Sequence, residues 1–197
     1  MRNPRDVMVS SYHFFQAFKD LKDYETMEVY MERFLSGEVL FGSWFDHVKG
    51  WMEMKDRANI FFITYEELQQ MPFVCLLIKG KLCISCKALR LHISPLIPLL
   101  QDLQGSVQRI CRFLGNELNS QQIESVVENA SFQKMKDNKM SNFSLIPESI
   151  FDHTKAKFMR KGISEDWKNH LTVAQSEYFD RVYWENMCGV NMTFPWD

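Results

Sequence analysis

The sequence predicts an α/β fold that is mostly helical, with a short strand of a parallel central sheet set among its helices. Three observations predict it. Capped amphipathic segments recur along the chain. One continuous apolar run, Asn59-Ile-Phe-Phe-Ile-Thr64, is too brief for a helix and reads as a strand buried on both faces. The composition, 46 % hydrophobic and 24 % charged, is that of an ordinary globular chain, not a disordered, collagenous or coiled-coil one. At 197 residues it holds one domain, and 16 Phe predict a bulky aromatic core.

The first helix is announced by Asn3 as N-cap, Pro4 at the first helical position and Asp6 near the positive end of the dipole. Val7, Ser11, Phe14, Phe15 and Phe18 follow at helical spacing and predict its packed face. A second helix is expected over 27–36. Gly42 and Ser43 open a third, with Trp44, Val48, Trp51 and Met52 as its stripe. After the strand, helices are expected at 103–114 (Val107, Ile110, Cys111, Leu114) and 120–129. The last, over 173–187, starts from a capping-box pattern of Thr172 with Gln175. Residues 136–166 read as a long loop rich in Asn, Ser, Lys and Gly, and loops of that length are usually functional.

Charge and cysteine usage narrow the function classes. A net charge of −2 gives no basic surface for nucleic acid or an anionic membrane, so an anion must be held by a few placed residues. Five irregularly spaced Cys are not a disulfide framework and point to a reducing, cytoplasmic compartment. The N-terminal residues carry no apolar signal core, and no uncharged run reaches the roughly 20 residues of a membrane span. One stretch, 71–101, differs from its surroundings. It has no Asp or Glu, carries Lys79, Lys81, Lys87 and Arg90, and contains three of the Cys. It reads as an inserted segment within a single domain spanning 1–197.

A phosphate or sulfate group is held by backbone N–H groups at a helix N-terminus together with Arg or Lys. Arg2 precedes the capped first helix, and Ser10 adds a small hydroxyl on it. Far along the chain, Phe158-Met159-Arg160-Lys161-Gly162 places adjacent cations in the long loop. Two arginines converging on one anion would form clamps that Lys could not replace; on spacing alone, solvated surface charges are the commoner reading of both. Cys83-Ile-Ser-Cys86 is a lone pair without the four ligands zinc needs, so no metal is expected. The glycine-rich nucleotide motifs and the nucleophile elbow are absent from the sequence. His47 sits at the edge of the third helix's stripe, where a packed or capping role is commoner than a functional one.

Taken together, these segments resemble the cytosolic sulfotransferases. The opening RNPRDVMVSSYHF resembles the family's R-N-x-x-D-x-x-x-S-x-Y-H-F, whose Arg and Ser hold the 3′-phosphate of the donor 3′-phosphoadenosine 5′-phosphosulfate (PAPS). The resemblance assigns those roles to Arg2 and Ser10. Phe34 to Val48 matches F-x-x-G-x-x-x-x-G-S-W-x-x-H-V near the acceptor pocket and implies substrate contact by His47. Ile63-Thr64-Tyr65-Glu66-Glu67 resembles the strand end whose Tyr meets the adenine, here Tyr65. Ala130-Ser131-Phe132-Gln133-Lys134-Met135 resembles T-S-F-x-x-M, implying Ser131, Phe132 and Met135 at the base, with Phe132 stacking. Ala130 stands where the family has Thr. FMRKGISEDWKNHLT resembles F-x-R-K-G-x-x-G-D-W-K-x-x-x-T, so Phe158, Met159, Arg160, Lys161 and Gly162 are implied in donor binding. Glu165 replaces the family's Gly and brings a negative charge near that anion site. Lys168, Thr172, Val173 and Glu177 resemble the family's dimerisation segment and imply a homodimer.

The resemblance covers 1–70 and 102–197 and implies an incomplete sulfotransferase fold, P-loop-like with a parallel central sheet. It implies transfer of a sulfuryl group from PAPS to a hydroxyl or amine of a small-molecule acceptor, a phenol, steroid or amine, with no metal. The family's phosphosulfate loop, T-Y-P-K-S-G-T-x-W, and its catalytic His are not matched within 1–197, so no catalytic residue is assigned. The chain as written is expected to keep the 3′-phosphate and adenine half of the donor site, to be nearly inactive, and to expose the edge of strand 59–64. The alternative is a catalytically silent variant acting by dimerisation with a full-length enzyme.

Overall fold

The structure is a computed structural model, and it describes residues 1–21, 24, 26–69 and 103–197. The expected insertion at 71–101 lies outside the described residues. The helices are α1 (Pro4–Phe15), α2 (Met27–Ser36), α3 (Trp44–Met52), α4 (Tyr65–Gln69), α5 (Leu103–Phe113), α6 (Ser120–Asn129), α7 (Phe132–Asp137) and α8 (Val173–Met187), with a 3₁₀ turn at Asp166–Asn169. They group into two compact units. Met1–Phe62 with Ala130–Asp197 forms the first, and Ile63–Asn129 the second.

The caps act as the sequence predicts. The Asn3 side chain accepts from Arg5 N at 2.9 Å with Pro4 opening α1. Ser43 accepts from Asp46 N at 3.1 Å to start α3. Both halves of the Thr172–Gln175 capping box are formed at α8. The core of the first unit gathers Met8 and Val9 of α1, Tyr30 and Phe34 of α2, Phe45 and Val48 of α3, and Phe179 and Tyr183 of α8. Burying each such side chain contributes about 1.5–3 kcal/mol.

Three expectations are corrected. Helix α1 turns a different face inward: Arg5, Met8, Val9 and Phe15 are buried, whereas Val7, Ser11 and Phe14 line clefts and Phe18 lies past the helix end. Buried Arg5 accounts for the shift. It pairs with Asp180 of α8, and its guanidinium carbon lies 5.0 Å and 5.3 Å from the Trp167 and Phe179 ring centres, so a charged residue occupies a core position. Helix α3 buries Phe45, Val48 and Met52, and Trp51 is 42 % exposed, because the stripe runs one residue over from Trp44. The run 59–64 is irregular, with Asn59 exposed and 60–63 only half-buried. An apolar run specifies burial, but a strand exists only through a neighbour's ladder. Among the described residues the only bridge is antiparallel, between Phe18 and Phe151.

The second unit shows why the chain turns helical at Tyr65. Thr64 Oγ1 accepts from Glu67 N at 3.1 Å, and Glu67 Oε2 accepts from Thr64 N at 2.7 Å, the reciprocal pattern of a capping box. Arg109 of α5 pairs with the same carboxylate at 3.0 Å. Val107 and Ile123 are the buried apolar residues of α5 and α6, and Leu114, expected on the stripe, is 61 % exposed beyond the end of α5. Among the described residues no helix is long and apolar enough to cross a membrane.

Candidate functional site

In the first unit, the N-terminus of α1 and the long loop meet in a cleft of about 240 Å³ lined by Arg2, Ser10, His13, Lys157, Phe158 and Arg160, with Val7, Ser11 and Phe14. Two arginines 158 positions apart thus share one wall-to-wall space with a hydroxyl, a histidine and a lysine. That donor set suits a multiply charged oxyanion.

The loop is tied down by two buried carboxylates. Asp6, on the first turn of α1, accepts from Glu165 N at 2.7 Å and from Trp167 N at 3.1 Å. Its main task is therefore to clasp the loop, beyond the dipole role that its position suggests. Asp166 is 1 % exposed. One of its oxygens accepts from Arg160 Nη2 at 2.6 Å and contacts His170 Nε2 at 3.2 Å. The other accepts from Lys161 Nζ at 2.7 Å and Asn169 Nδ2 at 3.0 Å. Burial pushes this carboxyl up, but the bonds from Lys161, Arg160 and Asn169 outweigh it and hold the group well below the usual carboxylate range. Arg2 Nη2 donates to the Ile163 carbonyl at 3.1 Å, so the first arginine also touches the loop.

His13 lies in the same wall, its ring edge-on to His170 at 5.2 Å between centres. Burial, then the neighbouring Arg160 and His170, push it below the ordinary histidine value. Phe158 stacks on Phe143 at 4.0 Å and forms an apolar side of the cleft with Phe14.

Gly162 has φ +66°, and a Cβ there would lie 2.0 Å from Phe132 Cδ2, so its backbone rests directly on the Phe132 ring. Ser131 caps α7 through Lys134 N at 3.4 Å. Met135 is half-buried on α7, and Met159 is half-buried beside Phe158 but is not among the cleft-lining residues. Tyr65 starts α4 in the second unit, at a helix start and not at the expected strand end.

A second cleft of about 190 Å³ shares Val7 and Ser11 with the first and is lined by Phe15, Tyr30, Phe34, Phe41, Trp44 and His47, with Val39, Gly42 and Ser43. The Tyr30 hydroxyl donates to Ser11 Oγ at 2.8 Å on their common wall, and burial holds that phenol up at about 12. His47 is exposed at this cleft, with its ring 6.3 Å from Trp51. Lys168, Thr172, Val173 and Glu177 are all exposed, Val173 at 75 %. Glu165 does not line the anion cleft. Its carboxylate pairs with Lys168 at 2.9 Å.

A family profile described as "Sulfotransferase domain" matches residues 1–76 and 98–191. The chain belongs to the sulfotransferase family. Mouse Sulfotransferase 2B1 is 50 % identical over 196 residues, which cover 100 % of this chain and 48 % of that protein. Human Sulfotransferase 2A1 is 40 % identical over 199 residues, covering 100 % and 58 %. Among solved structures, a mouse sulfotransferase complexed with PAP superposes with TM-score 0.70 at 30 % identity, over 97 % of this chain and 58 % of that one. Retinol dehydratase in a complex with retinol and PAP gives TM-score 0.74 at 25 % identity, over 98 % and 48 %. The fold is that of the sulfotransferases, and the chain spans about half the length of the curated relatives it matches.

Sequence reading missed Asp6 as a clasp, Asp166, His13, Lys157 and buried Arg5. Asp166 carried a signal: an acidic residue within six positions of Arg160-Lys161 and four before His170. The Thr64-x-x-Glu67 capping box was equally visible. Arg5 carried none, because only the partner helix α8 makes its burial tolerable.

Proposed function

We propose that the first cleft holds the 3′-phosphate of PAPS, and that the whole protein transfers a sulfuryl group from this donor to a hydroxyl or amine of a small-molecule acceptor. The observation that carries this reading is the convergence of Arg2, Ser10 and Arg160 on one cleft. The residues fit the group. Arg160 has one Nη on Asp166 and keeps further N–H donors, Lys157 adds another cation, and His13, held low and so neutral near pH 7, adds a ring nitrogen to the same wall. Lys161 and Gly162 close the loop, Phe158 and Met159 flank it, and Ser131, Phe132 and Met135 are assigned to the adenine. The bound donor supplies the sulfuryl group. The chain's own residues bind and orient the donor's nucleotide end, and Phe14 and Phe158 form the apolar side of the same cleft.

The second cleft, apolar with Tyr30 and His47 at its polar points, is assigned to the acceptor, and a hydroxylated steroid or phenol suits its aromatic lining. Lys168, Thr172, Val173 and Glu177, exposed around the start of α8, are assigned to homodimer contact. We also propose a cytoplasmic location, a reading supported by the family match. The stretch 71–101 is read as an insertion within one domain, which the profile's omission of 77–97 supports.

Calorimetry with 3′-phosphoadenosine 5′-phosphate tests the reading. The parent chain binds, and Arg2→Ala and Arg160→Ala each weaken binding by about 10–100-fold, the loss of one or two charge-assisted bonds. Parent-like affinity in both variants refutes the assignment.

A further inference from the structure

Arg160 and Lys161 are long, flexible cations on a loop, and each unrestrained side chain carries about 2 kcal/mol of rotamer entropy. In this structure neither swings freely. Both end on opposite oxygens of one carboxylate, Asp166, whose remaining positions are taken by Asn169 and His170. All five residues belong to one stretch of eleven, 160–170. Asp6 fixes that stretch to α1 through the N–H groups of residues 165 and 167, on either side of Asp166. The carboxylate is 1 % exposed, a placement tolerated only because four donors surround it.

We propose that Asp166 is a positioning residue for the donor site: it holds Arg160, which lines the cleft, in the orientation that an incoming phosphate requires before the phosphate arrives, and ties Lys161, which is not among the cleft-lining residues, to the same carboxylate. The inference rests on the cleft being the donor-phosphate site. One guanidinium nitrogen is committed to Asp166, which turns the remaining N–H groups of a planar fork, and leaves Lys161 two ammonium protons. The entropy of ordering two cations is then met on folding and not on binding.

The alternative role has the opposite sign. A carboxylate beside an anion site repels the anion, so Asp166→Asn on electrostatics alone tightens phosphate binding. Positioning predicts that it loosens. The experiment is calorimetry of the parent, Asp166→Asn, Arg160→Ala and Arg160→Ala/Asp166→Asn chains with 3′-phosphoadenosine 5′-phosphate, each at a temperature where melting curves show it folded. The expected result is a loss of about tenfold or more for Asp166→Asn, since ordering one long cation is worth roughly one decade of affinity. The second substitution should add little once Arg160 is gone. Unchanged or tighter binding by Asp166→Asn overturns the proposal while leaving the donor site standing; no binding by the parent overturns both. A measurement on the parent alone covers a variant that does not fold. Without ligand, the Arg160 Nε–H should have an NMR order parameter above about 0.6, the upper limit of flexible groups. A lower value, that of a freely swinging arginine, overturns the proposal.

Discussion

Adding one methyl group at Gly162 tests how the loop meets the α7 platform. An alanine Cβ there would lie 2.0 Å, 2.4 Å and 2.6 Å from Phe132 Cδ2, Cε2 and Cγ. Because Cγ is among them, spinning the ring about its own axis cannot clear the clash; χ1 must change and carry the ring off Gly162. Forced repacking of this kind costs about 1–3 kcal/mol. The backbone contributes separately. At φ +66°, a non-glycine residue costs about 1–2 kcal/mol, of which about 0.4–1 is offset by the stiffer unfolded chain. The sum is roughly 2–4 kcal/mol, or a fall in Tm of about 5–15 °C for a chain of this size. Differential scanning calorimetry of Gly162→Ala reads that fall, and titration with 3′-phosphoadenosine 5′-phosphate reads the loss of the displaced ring. In a Phe132→Ala background the clash vanishes, and only the backbone part, about 1 kcal/mol, remains. A Tm within a degree of the parent, or the same penalty in both backgrounds, refutes the reasoning.

Glu165 occupies the left-handed region, φ 64° and ψ 15°, so Glu165→Gly should be more stable than Glu165→Ala by about 1 kcal/mol in urea unfolding; equal midpoints would remove the strain argument. Acidification should destabilise the chain in two windows. His13, held low by burial and by Arg160 and His170, is protonated first in the unfolded chain, so stability falls as pH drops below about 6.5. Asp166, held low by its bonded cations, adds stability that is present above about pH 4 and lost as pH falls toward its lower folded value. Urea midpoints between pH 7.5 and 5 should fall less steeply in His13→Gln than in the parent, and identical slopes would exclude His13 as the source.

Helix starts were legible because they are local events: Asn3, Ser43 and Thr172 each bond a backbone N–H two or three residues ahead. Helix faces were less so. The stripe Val7, Ser11, Phe14 is apolar enough for a core, yet it forms cleft walls, because Arg5 takes a core position by pairing with Asp180 and lying over Trp167 and Phe179. That contact joins residues more than 160 positions apart, and periodicity carries no information about it. The same holds for 59–64, whose apolarity is local and whose pairing is not. In the cleft, Arg2 and Arg160 stand out in the sequence as cations near a helix start and in the long loop, whereas Asp6, which helps hold that loop, looks like an ordinary dipole-stabilising residue, and Asp166 shows only as an acid close to Arg160, Lys161 and His170.

Glu165 shows how such a loop absorbs a substitution. On the resemblance, glycine belongs there, and a carboxylate threatens both the turn and the anion. The turn survives because its N–H is anchored to Asp6 at 2.7 Å and its successor's carboxylate is buried against four donors, so the left-handed backbone is imposed from both sides. The anion site is spared by direction: the Glu165 carboxylate, 65 % exposed, pairs with Lys168 at 2.9 Å and lines no part of the Arg2–Arg160 cleft. At that exposure the pair contributes at most about 1 kcal/mol, comparable to the strain it accompanies. Replacement of the glycine therefore bears on the local balance of strain and ion pairing in the loop, not on the lining of the cleft. It also occupies the ammonium of Lys168, one of the four residues assigned to subunit contact, so any effect of Glu165 on function should be sought in dimerisation before it is sought in nucleotide binding.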